Sequence, residues 1–86
     1  MTLHIIASPS PERLAQACDI SSDKDEFLFI GDALYLLPSF SRFARYRIKD
    51  ADIRGLTKNM PTSAIGVTDA EWVELTLSCT RTLTWY

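Results

Sequence analysis

Leu3-His4-Ile5-Ile6-Ala7 running into Ser8-Pro9-Ser10-Pro11-Glu12 is the stretch that decides the fold. The first five residues form an apolar run about as long as a strand buried on both faces. The next five read as a helix start. Ser10 is placed to cap, Pro11 suits the first helical position, where no N–H is needed, and Glu12 meets the positive helix end. Leu14, Ala17 and Cys18 then recur at helical spacing on one face. A buried strand that passes directly into a capped helix is half of a β-α-β unit.

The same unit recurs towards the C-terminus. Ala64-Ile65-Gly66-Val67 is a second short apolar run, and Thr68-Asp69-Ala70-Glu71 has the spacing of a capping box, opening a helix through about Cys79. Between the two units, Ser21–Asp25 reads as a polar turn and Phe27-Leu28-Phe29-Ile30 as a buried strand ended by Gly31-Asp32. A short helical turn fits between Ala33 and Phe43, limited by Pro38. Tyr46-Arg47-Ile48 alternates as a strand would, and Asp50–Leu56 reads as one or two helical turns closed by Gly55. Thr82–Tyr86 alternates and adds a terminal strand. The expectation is one domain over residues 1–86, a three-layer α/β/α sandwich with a four- to five-stranded, mainly parallel sheet.

Composition agrees. The chain has 86 residues, 47% of them hydrophobic and 23% charged, with 9 basic and 11 acidic side chains. That is the make-up of a globular domain rather than a disordered one. No apolar run approaches the ~20 residues that span a bilayer. The N-terminus lacks a basic region and its apolar stretch is too short for a secretory signal, so a cytoplasmic location is expected. Cys18 and Cys79 form no Cys-x-x-Cys, and a single histidine, His4, lies inside an apolar run. Neither a zinc site nor a dithiol redox motif is expected, and no cofactor is implied.

Three sets of residues invite a functional reading. Cys18 is the candidate sulfur nucleophile, but it shares a helical face with Leu14 and sits where the helix dipole disfavours a thiolate, so packing is the expected role. Cys79, late in the last helix, falls under the same argument. Asp32, Asp50 and Asp69 follow strand ends, where ligands of parallel α/β sheets gather, and could converge near Ser8. Asp69 and Asp50 also have plain roles at helix starts, which leaves Asp32 without a local explanation.

Charge is the third. Residues 1–37 carry a net −4, residues 38–61 a net +4 and residues 62–86 a net −2. The basic stretch Phe40-Ser41-Arg42-Phe43-Ala44-Arg45-Tyr46-Arg47 interleaves aromatics with arginines. Such a pattern can stack on bases and track phosphates, or fill a protein interface. With a sequence pI near 5.2, direct nucleic-acid binding is not expected, and Arg42, Phe43, Arg45, Tyr46 and Arg47 are assigned to an interface.

Taken in order, Leu3-His4 with Ser8-Pro9, Ile30-Gly31-Asp32-Ala33-Leu34-Tyr35, Asp50 with Arg54-Gly55-Leu56, Trp72-Val73-Glu74-Leu75-Thr76 and Trp85 form a series that resembles the TusB/DsrH family. The resemblance runs from Leu3 to Trp85. It implies a small, non-catalytic α/β subunit of a sulfur-relay complex, partnered by TusC/DsrF-like and TusD/DsrE-like subunits. Such complexes pass persulfide sulfur towards 2-thiolation of the tRNA wobble uridine, or serve dissimilatory sulfur oxidation. The sulfur-carrying cysteine is attributed mainly to the TusD/DsrE-like subunit, although some members have a cysteine matching Cys18. The chain departs from the family pattern at Gly31, at Ala33, and in a segment between Tyr35 and Tyr46 about half the usual length. The shortening raises the alternative of a self-contained homodimeric carrier that uses Cys18.

Overall fold

A computed structural model describes residues 1–86. Five strands, β1 (Thr2–Ile6), β2 (Glu26–Phe29), β3 (Ala44–Arg47), β4 (Ala64–Val67) and β5 (Arg81–Trp85), form one sheet in the order β4-β3-β2-β1-β5. Every pairing is parallel, with Ile6 beside Phe29, Phe29 beside Tyr46, Tyr46 beside Gly66, and Ile6 beside Trp85 on the other flank. The α/β class, the parallel sheet and the terminal strand follow the sequence reading.

Helix α1 (Pro11–Ile20) begins as its sequence dictates, with Pro11 first and the Ser10 hydroxyl accepting from the Arg13 N–H. Helix α3 (Asp69–Ser78) carries the complete capping box, Thr68 and Glu71 each accepting from the other's backbone N–H. The chain between β2 and β3 is a nine-residue 3-10 helix, Gly31–Ser39. Its length has a cause in the sequence. Leu34, Leu37 and Phe40 are spaced by three, the repeat of a 3-10 helix, and all three are buried.

Ile48 corrects the expected strand. β3 stops at Arg47, where its partner β4 stops at Val67, and Ile48 opens the short helix α2 (Ile48–Ile53). The Ile48 side chain turns back over Gly66: a Cβ there would lie 2.8 Å from Ile48 Cγ1 and 3.2 Å from the Tyr46 ring. Glycine in this strand is a matter of close approach.

The sheet divides the interior in two. On one face α1, the 3-10 helix and α2 enclose the larger core around Ile6, Phe27, Phe29, Leu34 and Leu37. On the other, α3 alone covers Leu3, Ile5, Leu28 and Val67. No helix is long and apolar enough to cross a membrane.

Candidate functional site

The carboxyl ends of β2, β3 and β4 bring together the three acids singled out in the sequence. Gly31 leaves β2 at φ +57°, a conformation that favours glycine, and turns its N–H towards Asp50 Oδ2 at 2.9 Å. Asp50 lies in the first turn of α2 and is only 7% exposed. Arg54, one helical turn on, reaches Asp32 Oδ1 at 2.9 Å, the Asp50 carbonyl at 3.2 Å and its carboxylate at 3.6 Å. Arg47, at the end of β3, lies 3.6 Å from Asp50 and donates to Asp69 Oδ1 at 2.9 Å and Oδ2 at 3.3 Å.

The three acids therefore form a row of alternating charge, Asp32–Arg54–Asp50–Arg47–Asp69, extended by Lys49 at 3.7 Å from Asp69. The hydrogen bond from Arg47 holds the Asp69 carboxyl below its ordinary range, and the same contact holds the Arg47 proton more tightly. Ser8 takes no part in these contacts: its hydroxyl accepts from the Ser10 N–H at 3.2 Å. A row of this kind ties the ends of β2, β3 and β4 to one another. Each carboxylate of the row is paired with an arginine.

The basic aromatic stretch is bound largely to its own chain. Arg42 donates to Ser21 Oγ at 2.6 Å and to the Ser22 carbonyl at 2.8 Å, with its guanidinium 4.7 Å from the Phe27 ring centre. Arg45 pairs with Glu26 on β2 and lies over the exposed Phe43 ring. Arg47 lies 5.9 Å from the Trp72 ring centre. Tyr46 packs against the larger core. The hydrogen-bond partners are 20 or more residues away for Arg42 and Arg47, and 19 away for Arg45, so no local pattern announces them.

Cys18 is half-buried at the edge of the larger core. Burial pushes its thiol up, against the opposing pull of the Arg42 guanidinium; Asp19 adds to the rise. Arg42 is the neighbour that sequence reasoning missed, because it arrives from the far side of the 3-10 helix. Cys79 caps α3 and packs in the smaller core. The two free thiols therefore belong to opposite faces of the sheet, which rules out a disulfide within the chain.

His4 has a structural explanation. It is 1% exposed, stacks on Phe27 with ring centres 5.0 Å apart, and accepts at Nδ1 from the Trp85 indole N–H at 3.2 Å. An indole only donates, so the His4 proton sits on Nε2 and points to Asp25 Oδ2 at 2.9 Å. Burial works to raise the Asp25 carboxyl, but hydrogen bonds from His4, the Thr2 and Ser22 N–H groups and the Ser22 hydroxyl outweigh it and hold it far below the usual carboxylate range. Asp25, read in the sequence as a turn residue, thus ties β1 to the loop before β2. No three His, Cys, Asp or Glu side chains are grouped as metal ligands.

No known protein-family model matches this chain, and no curated protein matches it. Among solved structures it is similar to the YchN protein from E. coli, with a TM-score of 0.69 over 98% of this chain and 97% of that one, at 16% sequence identity. At that identity the likeness shows the fold: a single α/β/α domain built on a parallel sheet.

Proposed function

We propose that this chain is a non-catalytic subunit of a cytoplasmic sulfur-relay complex, partnered by TusC- and TusD-like proteins and serving 2-thiolation of the tRNA wobble uridine. The observation that carries the reading is the convergence of separate TusB/DsrH-like blocks. Gly31 and Asp32 from one, and Asp50 and Arg54 from another, meet in one hydrogen-bonded row at the strand ends. The protonated, half-buried state of Cys18 supports an accessory role, since sulfur transfer needs a thiolate. Co-purification tests it. Association with tagged TusC- and TusD-like proteins from the same cell is expected at micromolar concentration, and folded partners that fail to bind would overturn the assignment. Association with DsrE- and DsrF-like proteins instead would move the chain to the sulfur-oxidising branch.

One observation favours a second reading, in which the chain itself carries sulfur. Arg42 stands beside Cys18 and favours its thiolate. On this reading the Cys18 thiolate attacks the outer sulfur of an incoming persulfide, forms a new S–S bond, and expels the donor's thiolate. Incubation with a cysteine desulfurase and labelled cysteine would then load wild type but not Cys18→Ser. The accessory reading expects no label on either.

A further inference from the structure

His4 is the chain's only histidine, it is buried, and nothing in the sulfur-relay reading uses it. In register it stands between Phe27 on β2 and Leu83 on β5. A continuous run of hydrogen bonds passes through its ring. Arg42 donates to Ser21 Oγ and to the Ser22 carbonyl, and the Ser22 N–H and hydroxyl donate to Asp25 at 3.2 and 3.1 Å. Asp25 Oδ2 accepts from His4 Nε2 at 2.9 Å, and His4 Nδ1 accepts from the Trp85 indole at 3.2 Å. Every bond but the last tolerates either charge state of the ring. Nε2 already carries the proton of the neutral ring, so a second proton can enter only at Nδ1. There it would set a ring N–H against the indole N–H, two donors with no acceptor between them.

We propose that the His4–Trp85 bond is an acid-sensitive latch: a proton taken up by His4 breaks it and releases the Trp85 side chain from the larger core. Trp85 is the last residue of β5, an edge strand with no neighbour beyond it, so its side chain can swing out without displacing another strand. The main chain stays anchored, because the Trp85 carbonyl accepts from the Ala7 N–H at 2.9 Å and the Thr80 N–H donates to the Met1 carbonyl at 3.0 Å. The release is local. It does not depend on the sulfur-relay reading.

The surrounding charges set the balance. Burial works against it, but the hydrogen bonds to Asp25 keep that carboxylate ionised in mild acid, where it draws the proton in. Arg42, 4.7 Å from the centre of the Phe27 ring on which His4 stacks, opposes the proton. So does the N-terminal ammonium of β1, which donates to Thr80 Oγ1 at 3.1 Å. Helix α1 brings the half-buried Cys18 thiol and the exposed Asp19, and β5 the exposed Arg81. The loop before β2 adds the exposed Asp23 and Lys24, and Glu26 on β2 is paired with Arg45. Of all these groups only Asp25 touches the His4 ring.

Nuclear magnetic resonance of the full chain tests it, titrated from about pH 8 to about pH 5 across the range in which histidines ordinarily take up a proton. At the upper end the His4 ring is expected as the Nε2–H tautomer, with the Trp85 indole proton protected from exchange. On acidification Nδ1 should gain its proton, and the Trp85 indole signal should move towards that of water-exposed indole with the same midpoint. The signal of Trp72, on the opposite face of the sheet, and the circular dichroism spectrum should not change. Trp85→Phe assigns the two indole signals and removes the opposing donor, so the His4 midpoint should rise by roughly 0.5–1 pH unit, the worth of one hydrogen bond. A His4 ring that stays neutral down to about pH 5 overturns the proposal. So does a ring that gains its proton while the Trp85 signal stays where it was, or a midpoint that Trp85→Phe leaves in place or lowers. Should Trp85→Phe fail to fold, the wild-type titration decides alone, since only the latch requires the His4 and Trp85 midpoints to coincide.

Discussion

The two faces of the sheet are built from the same five strands and are covered very differently. On one, α1, the 3-10 helix and α2 enclose a core with eleven buried residues. On the other, ten-residue α3 covers a core with four. The difference follows from topology. Three successive connections step along the sheet from β1 to β4 on the first face, while a single connection returns across the second from β4, at one edge, to β5, at the other. The first face is therefore where stability is concentrated, and the second has surface to spare for contacts with other molecules.

The largest expected effect tests that contrast directly. Phe29, fully buried and packed edge-on against Phe40 at 5.1 Å, should cost roughly 3–5 kcal/mol when replaced by alanine. Leu75→Ala, beneath α3, should cost roughly 1–2 kcal/mol, because its side chain is already partly in water. Urea denaturation of both variants measures the ratio. Equal losses would break the contrast.

Gly66→Ala comes next, at roughly 1–3 kcal/mol, since the new methyl meets the Ile48 and Tyr46 side chains in a close-packed layer. Trimming one neighbour sharpens the test. Gly66→Ala combined with Ile48→Ala should be more stable than the sum of the two single changes implies, because the second substitution removes the carbon that the first strikes. Strict additivity would mean that the contact is relieved some other way.

These two cases also show how far the sequence can be read. β1, α1, β4 and α3 were legible because their signals are local: a short apolar run, a proline after a serine, a capping box. Ile48 was not, because the residue its side chain packs over is Gly66, 18 residues away on the neighbouring strand. The 3-10 helix was legible in part, since Leu34, Leu37 and Phe40 show the three-residue repeat, while Pro38 drew attention to a shorter turn. The candidate site divides the same way. Asp32 and Asp50 could be placed at strand ends from sequence, but not the arginines that neutralise them. Arg42 beside Cys18, and Asp25 beneath His4, are joined only by tertiary structure.

Asp25 gives a pH dependence that belongs to the well-covered face. Its folded-state pKa is depressed, so the unfolded chain binds a proton more readily than the folded one. The stabilisation is complete above the unfolded value of about 3.9 and is lost progressively as the pH falls below it. Neutral and mildly alkaline conditions leave it untouched. Denaturation midpoints of wild type should therefore fall between about pH 5 and pH 2, and Asp25→Asn should be less stable at neutral pH with a shallower fall. Equal slopes for the two proteins would show that other carboxylates govern acid unfolding.

The smallest expected effect is none at all, and it concerns the basic stretch that spans both faces. Arg42 lies over Phe27 on the well-covered side; Arg45 and Arg47 flank the grooves beside α3. All three are engaged within the chain, by Ser21 and Ser22, by Glu26 and by Asp69. A phosphate would have to displace those partners before gaining any contact, and the net −4 and −2 segments on either side weaken the long-range attraction. Isolated chain and tRNA should show no mobility shift at physiological salt. Were the three arginines to neutralise one phosphate each, log affinity would fall with log salt at a slope of about −2, given roughly −0.7 per phosphate on single strands. A shift with that slope, lost on replacing Arg45 and Arg47 by glutamine, would turn the thinly covered face from a protein surface into a nucleic-acid one.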